Sequence, residues 1–333
     1  MQALKQEKNK QILPDILMRQ GDDSFFIVTV DAEEEFDWGK PFSKDNQSVG
    51  HYVAIERFQL LCDKYDVTPI YLLDYPMVAN RDCAAYFGAL ATSGRGDIGI
   101  QLHPWVTPPY KETVNDHNSY ACNLPDDLEA EKFGNLYDKI VENTGHKPLM
   151  YRAGRYGAAQ NAYKLLIKYN INIDSSTRSG FDYTPQHGPN YATLPNIAFW
   201  REENILLELP LTTIFRGFWR YAPRFTYNYI LKYGWARSFA ARMGVLERIS
   251  LTPEGISIEK TKQAIDLALK VKLPLLNFSF HSPSLEAGHT PYVRNEQDLE
   301  NFYIWWEEIF AYLKQKGVRP LAVRQISEQI KKV

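Results

Sequence analysis

Residues 24–38, SFFIVTVDAEEEFDW, decide the architecture. Ser24 to Asp31 is rich in Val, Ile, Phe and Thr and lacks polar alternation, as expected of a strand buried on both faces of a parallel sheet. That strand runs straight into Asp31, Glu33, Glu34, Glu35 and Asp37, five carboxylates within seven residues. Such a cluster repels itself unless a cation or a basic group sits among its members. Charge runs are usually solvated loops, but here Asp31 terminates a buried strand, which makes a functional site an equal reading. No glycine-rich dinucleotide fingerprint follows the strand, since DAEEEFDW stands in its place.

Working outward, short apolar runs alternate with helical patterns. Strands are predicted at 68–74, 97–103, 148–154, 171–176, 205–212, 274–281 and 319–323. Helices are predicted at 52–65, 77–93, 126–143, 158–169, 258–270, 296–316 and 325–332. This alternation implies a parallel sheet. Asp31, Asp74, His103, Arg152, Asp174 and His281 all fall at the carboxyl ends of predicted strands. A barrel gathers those ends on one face, whereas an open doubly wound sheet gathers only those beside a switch point. The expectation is therefore an α/β chain folded as a (β/α) barrel. Residues 1–23 are an N-terminal extension, and 24–333 form one barrel domain.

Composition is compatible with that size. The 333 residues are 44% hydrophobic and 23% charged, enough for a sizeable core. A net charge of −2 gives no reason to expect a nucleic acid partner. Cys62, Cys83 and Cys122 are odd in number and form no C-x-x-C pair, so disulfide and zinc-finger frameworks are not expected. The first residues lack an apolar signal core, and no apolar run of membrane-spanning length occurs, so a cytoplasmic protein is expected.

The candidate chemistry sits at strand ends. Asp31 and Glu33 lie two apart and can share a face, one as a general base and the other as a metal ligand. Gln101 and His103 share a face by the same alternation, with Trp105 beside them as a sugar-stacking platform or simply core. In YRAGRYG (151–157), Arg152, Arg155 and Tyr156 surround glycines suited to a tight strand-to-helix turn, and Arg152 can orient Asp31. FSFHSPSL (278–285) ends an apolar strand in His281, a natural general acid near neutral pH.

The order Asp31, His103, Arg152, His281 resembles the motif order of NodB-type polysaccharide deacetylases, carbohydrate esterase family 4. TVDAEEEFDW, IGIQLHPWVTPP, YRAGRYG and FSFHSPSLEAGHTPYV look most like the WalW-type branch, from about Ser24 to the C-terminal helix. The resemblance implies a distorted (β/α)7 barrel that removes an N-acetyl group from a sugar with help from a divalent metal, commonly zinc. It makes Asp31 the base, Arg152 its tether and His281 the acid that protonates the leaving amine. It points to Glu33 as a metal ligand, with Glu34 the alternative. The chain departs from the pattern at the metal: the usual H-x-x-x-H is absent, because Thr107 stands four residues after His103. A Glu33, Gln101 and His103 set would bind weakly or prefer a harder cation than zinc, unless His117 folds back to complete it. Trp105, Arg155, Tyr156 and Asp174 are expected to bind substrate.

Residues 214–250 carry seven basic residues against the single acid Glu247, and ten aromatics from Phe215 to Phe239. They read either as a helical insertion packing its aromatics onto the barrel, or as a surface for an anionic glycan or a lipid-linked precursor at a membrane face. Two rival functions remain at this level. A glycoside hydrolase would pair Asp31 with Asp174 or Glu208. A barrel without metal would bind glycan or scaffold a complex without catalysis.

Overall fold

The computed structural model describes residues 24–36, 38–221, 227 and 233–330. The predicted extension 1–23 lies outside them. Eleven strands are present among the described residues: β1 (Ser24–Ala32), β2 (Ile70–Leu73), β3 (Asp97–Leu102), β4 (Tyr151–Ala153), β5 (Ile173–Asp174), β6 (Phe199–Glu202), β7 (Leu206–Glu208), β8 (Thr213–Arg216), β9 (Glu247–Ser250), β10 (Leu275–His281) and β11 (Val318–Pro320). Parallel pairing runs unbroken through β10-β1-β2-β3-β4-β5-β7. β11 adds to the start of β1, and β6 pairs antiparallel with β7.

The helices are α1 (Ile55–Lys64), α2 (Tyr75–Ala79), α3 (Arg81–Thr92), α4 (Asp126–Thr144), α5 (Gln160–Lys168), α6 (Gly234–Arg242), α7 (Ile258–Lys270), α8 (Glu296–Gln315) and α9 (Val323–Ile330). Their starts follow capping chemistry. Asn80, Ser257 and Asn295 each accept a backbone N–H from the first turn of the helix that follows. The antiparallel β6 and the hairpin β8–β9 are not foreseen in the sequence, because both are short, partly exposed and irregular in pattern.

β1 shows how the sheet is packed. Phe26, Val28 and Val30 face the helices and join a core that includes Phe58, Phe278, Trp306 and Phe310. Ile27 belongs to a second core with Ile70, Leu72, Met150, Ile173 and Leu207, plugged by Val323, Ile326 and Ile330 of α9. Above Ile27 on the same face come Thr29 and Asp31. Arg152 on β4 donates to Thr29 at 2.8 Å and pairs with Asp31, reaching past β2 and β3. Only a strongly curved sheet brings β1 and β4 that close. Beyond β7 the chain meets β10 through a few bonds: Asn277 donates to the carbonyls of Leu209 and Pro210, Thr212 Oγ1 accepts the Asn277 N–H at 2.9 Å, and the Thr212 N–H donates to the Asn277 carbonyl at 3.4 Å. The predicted α/β parallel architecture is present, with its carboxyl ends on one face.

Candidate active site

The strand ends open into a cavity of about 460 Å3. Asp31 and His281 are register partners across the β1–β10 ladder, with His281 Nε2 3.8 Å from Asp31 Oδ2. Arg152 is completely buried and fully engaged: Asp31, Thr29, and the hydroxyl and carbonyl of Ser175 accept from it. A buried guanidinium so tied fixes the position of the carboxylate it pairs with.

His281 is 21% exposed. Its Nδ1 lies 2.8 Å from Glu254 Oε2, and its backbone N–H donates to Glu254 Oε1 at 3.1 Å. Burial alone would lower the His281 pKa, but Glu254, Glu33 and Asp31 outweigh it and push it up to about 10. The ring is thereby held as a proton donor with Nε2 toward Asp31. Glu254 escapes the sequence reading: it sits in the turn TPEG (252–255), and nothing local ties it to a histidine.

The acidic run divides by environment. Glu34 is buried, and its carboxylate accepts the Trp105 indole N–H at 2.6 Å and meets His103 Nδ1 at 2.8 Å. Its backbone N–H donates to Asp74, which also caps α2. With Nδ1 engaged, His103 directs Nε2 toward Glu33 Oε2, 3.5 Å away. Gln101 donates to the same Glu33 oxygen at 3.4 Å, and its own carbonyl oxygen is buried without a partner. Burial pushes the Glu33 carboxyl up to about 8, against the opposing pull of His281 and His103. Glu35 faces elsewhere, binding His51, which reaches Ser282 at 2.7 Å and so ties the loops after β1 and β10 together.

These donors fit a divalent cation. Glu33 Oε2 lies 3.5 Å from His103 Nε2, and Asp31, Glu33 and His281 offer ligand atoms within 4.8 Å of one another; a carboxylate that burial renders hard to ionise gains most from a metal charge. The Glu34–His103 bond is the carboxylate–histidine support usual behind a metal-binding imidazole. Both glutamates line the cavity, Glu33 against His103 Nε2 and Glu34 against His103 Nδ1. A second cluster of Glu34, Asp74 and His103 Nδ1 is closed by its own hydrogen bonds. Neither Thr107 nor His117 lines the cavity.

The expected substrate residues separate. Arg155 and Tyr156 line the cavity from a turn in which both adopt left-handed backbone, with φ of 54° and 63°. Non-glycine residues seldom do so, and such strain collects at functional sites. Gly154 is required beside them, because a Cβ there would lie 2.7 Å from the Leu102 carbonyl and 2.6 Å from His103 Cδ2. Trp105 lines the cavity but is not an open platform: its ring stacks on His103 at 4.3 Å and serves Glu34. Asp174 is a correction. It is buried outside the cavity, register partner of Glu208, with its carboxylate on Ser176. At the end of the two-residue β5, where the β5 and β7 carboxyls share the Arg201 charge, it turns inward. Arg178 and Tyr183 line the cavity unannounced by the sequence.

Seven parallel strands with this strand-end site share their fold with solved structures described as polysaccharide deacetylases. The chain is similar to a protein from Mycobacterium smegmatis assigned to the polysaccharide deacetylases, at 16% identity and TM-score 0.56, covering 94% of this chain and 92% of that one. It is similar to PuuE allantoinase at 13% and 0.53, covering 95% and 93%. A protein assigned to the polysaccharide deacetylases in Pseudomonas aeruginosa PAO1 is similar at 13% and 0.51, covering 93% and 91%. At these identities the likeness is one of fold. No family model and no curated protein sequence matches the chain.

Proposed function

We propose that the protein hydrolyses the N-acetyl group of a sugar, in a surface polysaccharide or its precursor. The observation that carries this reading is the Arg152–Asp31–His281–Glu254 line at the cavity floor: a tethered carboxylate beside an imidazole that a second carboxylate keeps protonated. Asp31 takes the proton of an attacking water. His281 gives a proton from Nε2 to the departing nitrogen, while Glu254 holds its Nδ1. Glu33, His103 and Gln101 would hold a divalent cation, which when bound supplies Lewis-acid polarisation of the acyl carbonyl and the water. Tyr156 and Arg155 form a wall against which the sugar packs.

The test is product identity. The purified chain, loaded with zinc or manganese, should release acetate from N-acetylated oligosaccharides without generating reducing ends. Reducing ends without acetate would reverse the assignment. The glycoside hydrolase reading loses support, since neither Asp174 nor Glu208 lines the cavity with Asp31. The non-catalytic reading gives no purpose to a tethered base beside a charged imidazole.

The lipid-linked form of the substrate has separate support. Phe218, Tyr221 and Trp235 are 84%, 73% and 74% exposed, so these aromatics are not packed onto the barrel. No acidic residue occurs between Glu208 and Glu247, while Arg216, Arg220 and Arg242 do. Exposed aromatics beside Arg220 and Arg242, with Arg216 alone of the three paired to Glu247, suit the interface of an anionic bilayer. Among the described residues no helix is long and apolar enough to cross a membrane.

A further inference from the structure

Five of the cations that line the cavity fall into two groups. Arg152, His103 and His281 each have a carboxylate partner in Asp31, Glu34 and Glu254. Arg155 and Arg178 have none among the described residues. Arg155 is satisfied by neutral oxygens of Asp116 (backbone), Ser119 and Gln186, and lies 4.1 Å over the Tyr120 ring. Arg178 is less complete. One amino group donates to the Tyr183 hydroxyl at 3.1 Å and the other to Ser250 Oγ at 3.1 Å, and the guanidinium stacks 3.9 Å from Phe181. Its Nε–H is buried with no acceptor. A planar guanidinium held on an aromatic face at the cavity wall, with no carboxylate partner among the described residues, is arranged for an oxyanion in the cavity.

Its location links it to the chemistry. The Glu33, Gln101 and His103 cluster comes from β1 and β3, whereas Arg178 follows β5 and its partner Ser250 ends β9. Tyr156 lies between: its ring centre is 5.0 Å from Arg178, and its hydroxyl feels the charges of both Asp31 and Arg152. A sugar whose acyl group sits at Asp31 therefore crosses Tyr156 toward Arg178.

We infer that Arg178 is a specificity-determining residue that binds a carboxylate or phosphate carried by the N-acylated sugar. The substrate is an acidic saccharide, either a uronic acid or a sugar phosphate. This rests on the sugar-deacetylation reading for the identity of the ligand. It does not rest on that reading for the presence of the anion site.

The experiment compares N-acetylglucosamine, N-acetylglucosaminuronic acid and N-acetylglucosamine 1-phosphate on the full chain, by calorimetric binding and by acetate release. At least one acidic sugar should bind about tenfold or more tighter than the neutral one, a preference that shrinks as salt is raised. Which acidic sugar shows it names the group. Arg178→Gln should collapse the ratio between acidic and neutral sugars. Arg178→Lys should retain part of it, since charge persists while the planar fork is lost. Equal binding of all three sugars by the wild-type chain would overturn the inference without any variant. So would an unchanged ratio in a folded Arg178→Gln protein. Acetate release without acidic preference would defeat the anion site and leave deacetylation standing. An Arg178-dependent preference without acetate from any sugar would do the reverse.

Discussion

Asp31 and His281 stand opposite each other in the β1–β10 ladder, 250 residues apart in the chain, with side chains 3.8 Å apart. Ladder pairing sets this distance, so neither loop has to move to assemble the pair. Their supports differ, and the difference can be measured. Asp31 neutralises a fully buried arginine, while His281 is partly exposed and leans on Glu254.

His281→Ala should lower turnover by roughly 100- to 10,000-fold, the usual contribution of a positioned acid, and lower the melting temperature at neutral pH, because buried Glu254 loses its charged partner, though by less than loss of the fully buried Asp31–Arg152 pair does. Asp31→Asn should lower turnover as severely and also destabilise by about 3–5 kcal/mol, because Arg152 is left as an uncompensated buried charge. Turnover and thermal melts on the two variants check this. Equal melting losses would mean that the pair is not asymmetric.

Metal binding is tested by elemental analysis and by titrating zinc and manganese into chelator-treated protein. Glu33→Gln and His103→Ala should abolish stoichiometric metal. Glu34→Gln should weaken affinity by about 10- to 100-fold while leaving the ligands in place. Gln101→His should shift selectivity toward zinc, since imidazole replaces an amide oxygen. A wild-type chain that takes up no divalent ion would favour the non-catalytic reading.

Glu129 on α4 gives a pH prediction away from the site. Burial pushes its carboxyl from 4.5 up to about 7, and Asn161 at 2.7 Å is its hydrogen-bond partner. The folded chain then binds a proton more tightly than the unfolded one. Stability from this group is complete below pH 4.5 and is lost as pH rises toward 7, by up to about 3 kcal/mol. Glu129→Gln should remove that slope in denaturant titrations between pH 5 and pH 7.5 (roughly the window in which the two states differ). A slope unchanged in the variant would place the linkage elsewhere.

The exposed aromatics predict co-sedimentation with vesicles containing phosphatidylglycerol but not with purely zwitterionic ones, weakening as salt rises. Replacing Phe218 and Trp235 together by Ser should abolish it without affecting the melt, since both side chains are mostly solvent-exposed. Binding that survives the double change would remove this surface from consideration.

Much of the fold is legible along the chain. The continuous apolar runs at 24–31, 97–102 and 275–281 and the amphipathic pattern from Asp126 onward are local signals, and the elements form close to where those signals fall. That Asp31, Gln101, His103, Arg152 and His281 terminate strands is also local, and parallel pairing then obliges them to share a face. What the sequence could not decide is which way each polar group turns once there. Asp174 ends a strand just as Asp31 does, yet it turns inward beside Glu208. Glu33 and Glu34 are adjacent and chemically alike, yet strand alternation and the Asp74 bond set one against His103 Nε2 and the other against His103 Nδ1. Glu254 and Arg178 come from turns with no periodicity to read, and only the curvature of the sheet carries them to His281 and Tyr156. The chain alone thus determined the parallel strands and which polar residues stand near their ends. Side-chain partnership, which depends on burial and on contacts across hundreds of residues, was settled by the tertiary structure.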